Sequence, residues 1–315
     1  FLLIENDVPI WLAGFGRADI PDDVPVTPGT IFDLASLSKH FTAYAILLLA
    51  SRGKLAPTDE VRQHIPELER HHADPRPLRL TDLIHHSSGL PDYIGELLPE
   101  EHLTFTNARL IDWVIEQPLE FPTGTRGFSF RDENTTYCNT NYCLLASVVE
   151  RVSGKSFPFF MKTEIFKPLG MNDTFIDPYQ GNHPGLARRH DRDGRFMEHP
   201  RVIPLYGDGS AYSTIADFVR WDRELTFSTL MAPQDRDRLF QAGTLDDGSP
   251  TDYGWGFYVK SWPDRRVVWH GGNWDGTSTC FSRWLDDGIR LALFSNTQSQ
   301  AAPTILSEIE HFLMD

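Results

Sequence analysis

The chain has 315 residues, which is long enough for one large domain or for two interleaved lobes around a buried core. Its content of 40% hydrophobic and 12% aromatic residues is typical of a globular soluble protein. The formal net charge of −15, with a pI of about 5.2, argues against non-specific nucleic-acid binding, and we predict no nucleic-acid partner.

The first residues predict a β-hairpin. Residues 1–5 and 8–16 have the composition of strands, and Asn6-Asp7 between them is a turn signal. Because the chain opens inside a predicted strand and without Met, we expect further residues upstream of Phe1. Since those residues could hold a targeting segment, the sequence leaves a periplasmic or secreted location and a cytoplasmic one both open.

The next predicted element is a central helix that begins close to Ser36. The stretch 41–50 contains only two polar groups, Thr42 and the hydroxyl of Tyr44, and a helix that is apolar nearly all round is a buried one. It is too short to cross a bilayer, and we predict no transmembrane segment. Lys39 follows Ser36 by one helical turn, on the same face. A hydroxyl with an amine beside it is a candidate nucleophile with a candidate base.

The middle of the chain, from about residue 55 to residue 200, is rich in helix signals. We predict a short helix that starts at 81–84 and ends at 88–91. We also predict helices over 107–117, from Asn139 or Asn141 to a stop at Gly154, and over 157–166.

After residue 203 the pattern changes to β-rich runs. We predict a helix over 215–225, strands over 255–262, 266–270, 277–285 and 289–295, turns at Pro263-Asp264 and 286–288, and a last helix from Pro303 to Leu313. Strands at both chain ends predict an α/β (α+β) fold, with an antiparallel sheet flanked by helices and an inserted, mainly helical lobe. We expect residues 1–45 and 205–315 to form the α/β lobe and 46–204 the helical lobe, with the active-site cleft between them.

Three short segments stand in a particular order along the chain. They are Ser36-x-x-Lys39, Tyr137-x-Asn139, and His270-Gly271-Gly272 followed by Asn273. In this order they resemble the signatures of the serine β-lactamase and penicillin-binding-protein-like family. The similarity is closest to class C β-lactamases, DD-peptidases, D-aminopeptidases and related esterases. It covers nearly the whole chain, and it implies the β-lactamase/transpeptidase-like fold.

The resemblance implies a role for each residue of the first two segments. Ser36 would attack a carbonyl carbon and form an acyl-enzyme. Lys39 would either lower the pKa of its neighbours or act as a base once burial depresses its own pKa. Tyr137, close to Lys39 and a second cation, would favour the phenolate form and serve as the proton shuttle. Asn139 would hydrogen-bond Lys39 and an amide of the substrate.

The third segment would complete the site. The backbone N–H groups of Ser36 and Asn273 would form the oxyanion hole, and Gly271 and Gly272 would let substrate and backbone approach closely. Class C β-lactamases carry Lys-Thr-Gly here, whereas His270 is mostly neutral at pH 7 and holds a substrate carboxylate less well. We expect a lower pH to protonate His270 and to improve binding of carboxylate-bearing ligands.

The leading hypothesis is a serine hydrolase that cleaves an ester or peptide (amide) bond in a small-molecule or short-peptide substrate. A class C-like β-lactamase is one alternative, and a penicillin-binding or ligand-sensing protein with little turnover is another. The three cysteines, Cys138, Cys143 and Cys280, fit neither a disulfide framework nor a zinc site, and we predict free thiols, no metal and no cofactor. The sequence leaves the oligomeric state open.

Overall fold

Both ends of the chain build one antiparallel sheet. The computed structural model describes residues 1–71, 76–96, 99–132, 136–198, 201–262, 265–299 and 301–314. In spatial order, the six strands of the main sheet within these ranges are β2 (Val8–Leu12), β1 (Leu2–Glu5), β11 (Ile289–Ser295), β10 (Thr277–Trp284), β9 (Arg265–Trp274) and β8 (Tyr258–Trp262). Leu2 stands opposite Ala292, which confirms that the amino-terminal hairpin pairs with the carboxyl-terminal strands.

The hairpin turn follows from its two central residues. Asn6 and Asp7 have φ angles of 48° and 66°. A two-residue turn that matches the twist of the flanking strands needs positive φ at both positions, and Asn and Asp accept this conformation better than other non-glycine residues. The predicted turn is therefore confirmed.

Two smaller sheets lie beside the main one. They are a pair, β3 (Arg17–Asp19) with β4 (Val24–Pro25), and a three-stranded sheet in the order β5 (Phe32–Asp33), β7 (Ala211–Ser213) and β6 (Phe175–Ile176). The pairing of Asp33 with Tyr212 anchors the segment just before Ser36. The sequence analysis missed β6, whose two residues are too few for a periodic signal.

The helices occupy most of the positions that the sequence predicts. They are α1 (Lys39–Ser51), α2 (Val61–His64), α3 (Leu80–Ile84), α4 (Asn107–Ile115), α5 (Asn139–Ser153), α6 (Phe157–Phe160), α7 (Ile215–Phe227), α8 (Pro233–Arg236) and α9 (Ala301–Met314). Shorter helical turns cover Ala35–Ser38, Pro66–His71, Pro99–Thr104 and Asp237–Phe240, and Met161–Phe166 is a π-helix. Gly154, with a φ of 68°, ends α5 as predicted.

The core is built around α1. Every side chain from Lys39 to Leu49 is buried, as the apolar sequence predicts. The ring of His40 lies stacked between Trp221 and Phe257, at 5.4 Å from each. The helix is therefore held on all sides, and Ser36 lies in the short turn Ala35–Ser38 that leads into it. The sequence places Ser36 at the start of the helix itself, and the structure puts a tighter turn there.

Some expectations remain open. The predicted turn at Pro263-Asp264 lies outside the described residues. The division into lobes 1–45 with 205–315 and 46–204 stays a prediction. Among the described helices, none combines the length and the apolar character that crossing a membrane requires.

Candidate active site

The backbone before Ser36 is held in an unusual conformation. Ala35 has a φ of 47°, which costs an alanine roughly 1–2 kcal/mol. Its N–H donates to Oδ1 of Asp33 at 2.8 Å, and its carbonyl accepts from Oγ of Ser38 at 2.6 Å. The Ser38 oxygen in turn accepts from the N–H of Ala211 at 3.1 Å. These bonds impose the conformation that turns Ser36 out of the core.

Lys39 is fully buried and has three polar partners. Its Nζ lies 3.1 Å from Oγ of Ser36, 2.7 Å from Oδ1 of Asn139 and 2.8 Å from the carbonyl oxygen of Asp208. The last two oxygens can only accept, so each takes one N–H in either charge state of the amine. When Lys39 is neutral, its lone pair is left for the hydroxyl proton of Ser36. The geometry therefore suits proton transfer from Ser36 to Lys39.

The pKa of Lys39 is determined by two opposing effects, burial of the amine and the attraction of nearby negative groups. Burial lowers the pKa of Lys39, and this effect outweighs the opposing attraction of Asp208, the largest of those that raise it. A lowered pKa is the condition under which the sequence analysis expects Lys39 to act as a base.

Tyr137 lies beside the Ser36–Lys39 pair. The Nζ of Lys39 is 4.9 Å from the centre of its ring. Burial raises the pKa of Tyr137 well above its ordinary value, and the hydrogen bond with Ser36 offsets only part of this. The expectation that the phenolate form is favoured is therefore wrong in this structure. Tyr137 is a neutral phenol at neutral pH, able to donate one proton and accept another.

Asn139 bridges Lys39 and a carboxylate that the sequence analysis did not identify. Its Oδ1 accepts from Lys39, while its Nδ2 donates to Oδ2 of Asp92 at 2.9 Å. The predicted bond to Lys39 is present. The same NH₂ group carries a second N–H, and Asn139 lines the cavity at Ser36, so the expected bond to an amide of the substrate stays a prediction.

The third segment lies entirely in β9. A Cβ on Gly272 would stand 2.1 Å from the carbonyl oxygen of Leu34, so only glycine lets the strand approach the turn that carries Ser36 this closely. Gly271 faces the other side of the sheet, where a Cβ would meet nothing closer than 3.4 Å. Asn273 is exposed and lines the same cavity as Ser36. Ser36 and Asn273, the two residues expected to supply the oxyanion hole, thus line one cavity.

His270 is directed into the protein and is 1% exposed. Its Nδ1 lies 2.6 Å from the carbonyl oxygen of Gly271, which can only accept, so Nδ1 carries the proton. Its Nε2 then accepts from the hydroxyl of Tyr253 at 2.9 Å. Burial and the nearby Lys39 lower the pKa of His270 to about 3. The expectation that mild acid charges His270 is therefore wrong. The ring lies 6.0 Å from that of Tyr137, and His270 is not among the described residues that line the cavity.

The cavity at Ser36 has a volume of about 270 Å³. It is lined by Asp33, Ala35, Ser36, Tyr93, Ile94, Asn139, Gln180, Ile203, Leu205, Asp208, Gly209, Ser210, Asn273 and Trp274. These described residues include two carboxylates, several apolar side chains and no Lys or Arg. Residues of both predicted lobes contribute to the lining.

Three contributors escaped the sequence analysis. Asp92 and Asp208 contact Asn139 and Lys39, and Tyr253 holds His270. Asp208 lies in a Gly-Asp-Gly-Ser stretch that resembles the family, but nothing in the sequence assigns its carbonyl to Lys39. Among the described residues no group of His, Cys, Asp and Glu is arranged to hold a metal ion. The three cysteines are free, as predicted.

Comparison with known sequences identifies related proteins. The sequence model of the Beta-lactamase family matches residues 1–309. A protein of Bacillus subtilis (strain 168) named Penicillin-binding protein 4* is 30% identical over 332 residues, which cover 99% of this chain and 71% of that protein. The chain spans about two thirds of the first curated relatives it matches, 71% of this one and 61% of the next.

Solved structures with the same fold include two informative cases. A penicillin binding protein from Bacillus halodurans aligns with a TM-score of 0.84 at 23% identity, over 99% of this chain and 94% of that one. A D-amino acid amidase from Ochrobactrum anthropi SV3, complexed with L-phenylalanine amide, aligns with a TM-score of 0.73 at 20% identity, over 95% and 87% of the two chains. At these identities the likeness supports the β-lactamase/transpeptidase-like fold alone.

Proposed function

The chain belongs to the Beta-lactamase family of serine hydrolases, and we propose that it cleaves an ester or amide bond through an acyl-enzyme on Ser36. The observation that carries this proposal is the contact between Ser36 and Lys39. The other two partners of the amine can only accept hydrogen bonds, which leaves its lone pair for Ser36. A serine activated by an adjacent base is the arrangement that covalent acyl transfer requires.

In the first step, Oγ of Ser36 attacks the carbonyl carbon while its proton passes to Nζ of Lys39. The negative charge that develops on the carbonyl oxygen would be stabilised by the backbone N–H groups of Ser36 and Asn273. Because the turn at Ala35 and the strand β9 fix these two groups before substrate binds, little reorganisation is needed at the moment of reaction. The C–N or C–O bond then breaks, and the leaving group takes a proton.

Tyr137 is the candidate relay for that second proton. As a neutral phenol, it can donate its hydroxyl proton to the leaving group while it accepts one from Lys39. The 4.9 Å from Nζ of Lys39 to the ring centre, together with the hydrogen bond to Ser36, supports this role. Water would attack the acyl-enzyme by the reverse route and restore Ser36.

The cavity supports a short acyl group with an apolar side chain. Ile94, Ile203, Leu205 and Trp274 provide apolar walls, and a volume of about 270 Å³ suits a single amino-acid residue or a comparable acyl group. The neighbour named as a D-amino acid amidase, which was solved with an amino-acid amide, agrees with a substrate of this size. We therefore propose activated short esters and D-amino-acid amides or peptides as the substrate class.

The charge of the cavity disfavours a substrate with a carboxylate. Its described lining contains Asp208, and Asp33 paired with Arg189 from behind, but no Lys or Arg. A nearby cation, Arg201, stacks on Trp274 at 4.4 Å, but it is engaged by Asp275 through two hydrogen bonds of 2.9 and 3.0 Å. No charge in the described cavity is thus left to attract the carboxylate of a β-lactam.

A second candidate function is slow acylation by β-lactams. The relative named Penicillin-binding protein 4* favours it, at 30% identity. In this case penicillins would form an ester with Ser36 that is hydrolysed slowly, so that the protein binds them without efficient turnover.

A panel of three substrates separates these functions. We expect kcat/KM for p-nitrophenyl acetate or D-alanyl-p-nitroanilide to exceed that for nitrocefin, and all turnover to disappear in Ser36→Ala. Nitrocefin turnover near the diffusional ceiling that is lost in Ser36→Ala would identify a β-lactamase instead. Activity retained by Ser36→Ala on an ester that the wild type cleaves would contradict the acyl-enzyme itself.

A further inference from the structure

Asp92 makes a set of contacts that all hold Asn139. Its Oδ2 accepts from Nδ2 of Asn139 at 2.9 Å, and its Oδ1 accepts from the backbone N–H of the same residue at 3.3 Å. The N–H of Ile94 gives Oδ1 a further bond at 3.2 Å. The carboxylate of Asp92 therefore hydrogen-bonds both the side-chain amide and the backbone N–H of Asn139, the first residue of α5.

These contacts determine which way the Asn139 amide faces. A carboxylate can only accept, so the NH₂ group must face Asp92 and the oxygen must face Lys39. If the amide turned over, two oxygens would meet at Asp92 and two donors would meet at Lys39. The bond of 2.7 Å from Lys39 to Oδ1 of Asn139 thus depends on Asp92.

We propose that Asp92 is a positioning residue: it locks the Asn139 amide so that Lys39 is aimed at Ser36, and its negative charge adjusts the basicity of Lys39. This inference rests on the proposed function, in which Lys39 is the base. Asp92 is not itself among the described residues that line the cavity, but it holds two that are, Asn139 and Ile94.

The electrostatic part depends on every titratable group around Lys39. The attraction of Asp208 and Asp92 raises the pKa of Lys39, and the thiols of Cys143 and Cys138 act in the same direction. Lys39 also interacts with the buried imidazoles of His86 and His270, whose pKa values are lowered. The ring centres of Tyr137 and Tyr142 lie 4.9 and 5.7 Å from Nζ of Lys39, and burial raises the pKa of both phenols, which keeps them neutral. Removing the charge of Asp92 should therefore lower the pKa of Lys39.

Asp92 itself sits in an environment that disfavours its charge. Burial raises the pKa of Asp92 to about 6, although Asn139, Ile94 and Lys39 all act to lower it. An ionised carboxylate with a raised pKa opposes folding, since the folded protein binds its proton more tightly than the unfolded chain. A group that costs stability while it holds a functional side chain is typical of an active site.

The test compares three variants with the wild type. Asp92→Asn removes the charge, Asp92→Glu keeps the charge but displaces the carboxylate, and Glu96→Gln is a matched control on an exposed acid of the same loop. The readouts are the pH profile of Ser36 labelling by a fluorophosphonate, kcat/KM for p-nitrophenyl acetate, and the melting temperature at pH 8.

We expect Asp92→Asn to lose about tenfold in kcat/KM and to move the acid limb of the labelling profile about 1 pH unit lower. It should melt no lower than the wild type at pH 8. Asp92→Glu should have a lower kcat/KM, while the acid limb of its labelling profile stays at the wild-type pH. Glu96→Gln should match the wild type in both measurements. In an Asn139→Ala background, Asp92→Asn should lose less rate than it does alone, because the amide that Asp92 positions is gone, while its acid limb should still move lower.

The outcomes separate this inference from the proposed function. If wild-type Ser36 is not labelled, the proposed function fails. Two results with a labelled Ser36 would overturn the inference. In the first, Asp92→Asn keeps the wild-type rate and the wild-type acid limb of the labelling profile. In the second, Asp92→Asn loses rate and melting temperature together while its acid limb does not move, which indicates a structural role only.

Discussion

Replacing Gly272 with Ala tests whether β9 must touch the backbone in front of Ser36. The new Cβ would lie 2.1 Å from the carbonyl oxygen of Leu34 and 2.5 Å from Oγ1 of Thr279. Those two oxygens are joined by a hydrogen bond of 2.9 Å, so neither moves away without losing it. Non-bonded carbon and oxygen atoms need more than about 3 Å, so β9 has to move outward by ~1 Å.

Such a shift would carry the N–H of Asn273 away from the developing oxyanion. A misplacement of about 1 Å, or the loss of one oxyanion-hole donor, costs on the order of 10²- to 10³-fold in kcat. The overpacked contact should also lower the free energy of unfolding by about 1–3 kcal/mol. We therefore expect Gly272→Ala to fold with a lower melting temperature and to lose most of its kcat, with a smaller change in KM.

Gly271→Ala is the matched control, one residue away on the same strand. Its Cβ would meet the carbonyl oxygen of Thr279 at 3.4 Å and other atoms at 3.7 Å, which are ordinary contacts. It should stay within a few-fold of the wild type in kcat for p-nitrophenyl acetate. Wild-type kcat in a folded Gly272→Ala variant, or equal losses in both variants, would refute the close approach as the reason for this glycine.

Four further expectations concern Lys39, Tyr137 and His270. Lys39→Ala should reduce the acylation rate by about 10³- to 10⁴-fold, measured by stopped-flow, and a loss below tenfold would exclude Lys39 as the base. Tyr137→Phe should cost about 10²-fold, and the double variant with Lys39→Ala should lose much less than the product of the two; additive losses would contradict a shared proton path. Because the pKa of His270 lies at about 3, KM for a carboxylate-bearing ligand should not improve between pH 8 and pH 5. Because the unfolded chain protonates His270 more readily than the folded protein, the free energy of unfolding should fall as pH drops from about 6.5 towards 3. Equilibrium unfolding of His270→Gln should show a free energy of unfolding that depends less on pH in this window.

The sequence predicts those parts of the fold that depend on local pattern. Asn6-Asp7 specifies its turn through positive φ, and the apolar run after Lys39 specifies a buried helix. The three motif segments stand out because each pairs unusual residue types at short spacing. The structure brings Ser36, Lys39, Tyr137 and Asn139 together from segments about 100 residues apart.

What the sequence does not predict depends on tertiary burial. The phenol of Tyr137 and the ring of His270 titrate outside the range expected from their types, since the surrounding core disfavours their charged forms. Asp92 and Tyr253 have no motif of their own, and they matter only through the side chains they hold. No pattern in the chain indicates that His270 contacts Tyr253, because that contact is made by two separate segments of the fold.

The central claim is that Ser36 carries the acyl group and that Lys39 activates it. Intact-mass analysis after incubation with a fluorophosphonate, followed by peptide mapping, tests this directly. We predict one adduct per chain, located on Ser36, which is absent in Ser36→Ala and forms at least 10²-fold more slowly in Lys39→Ala. An adduct that persists in Ser36→Ala, or that forms at the wild-type rate in Lys39→Ala, would contradict the claim.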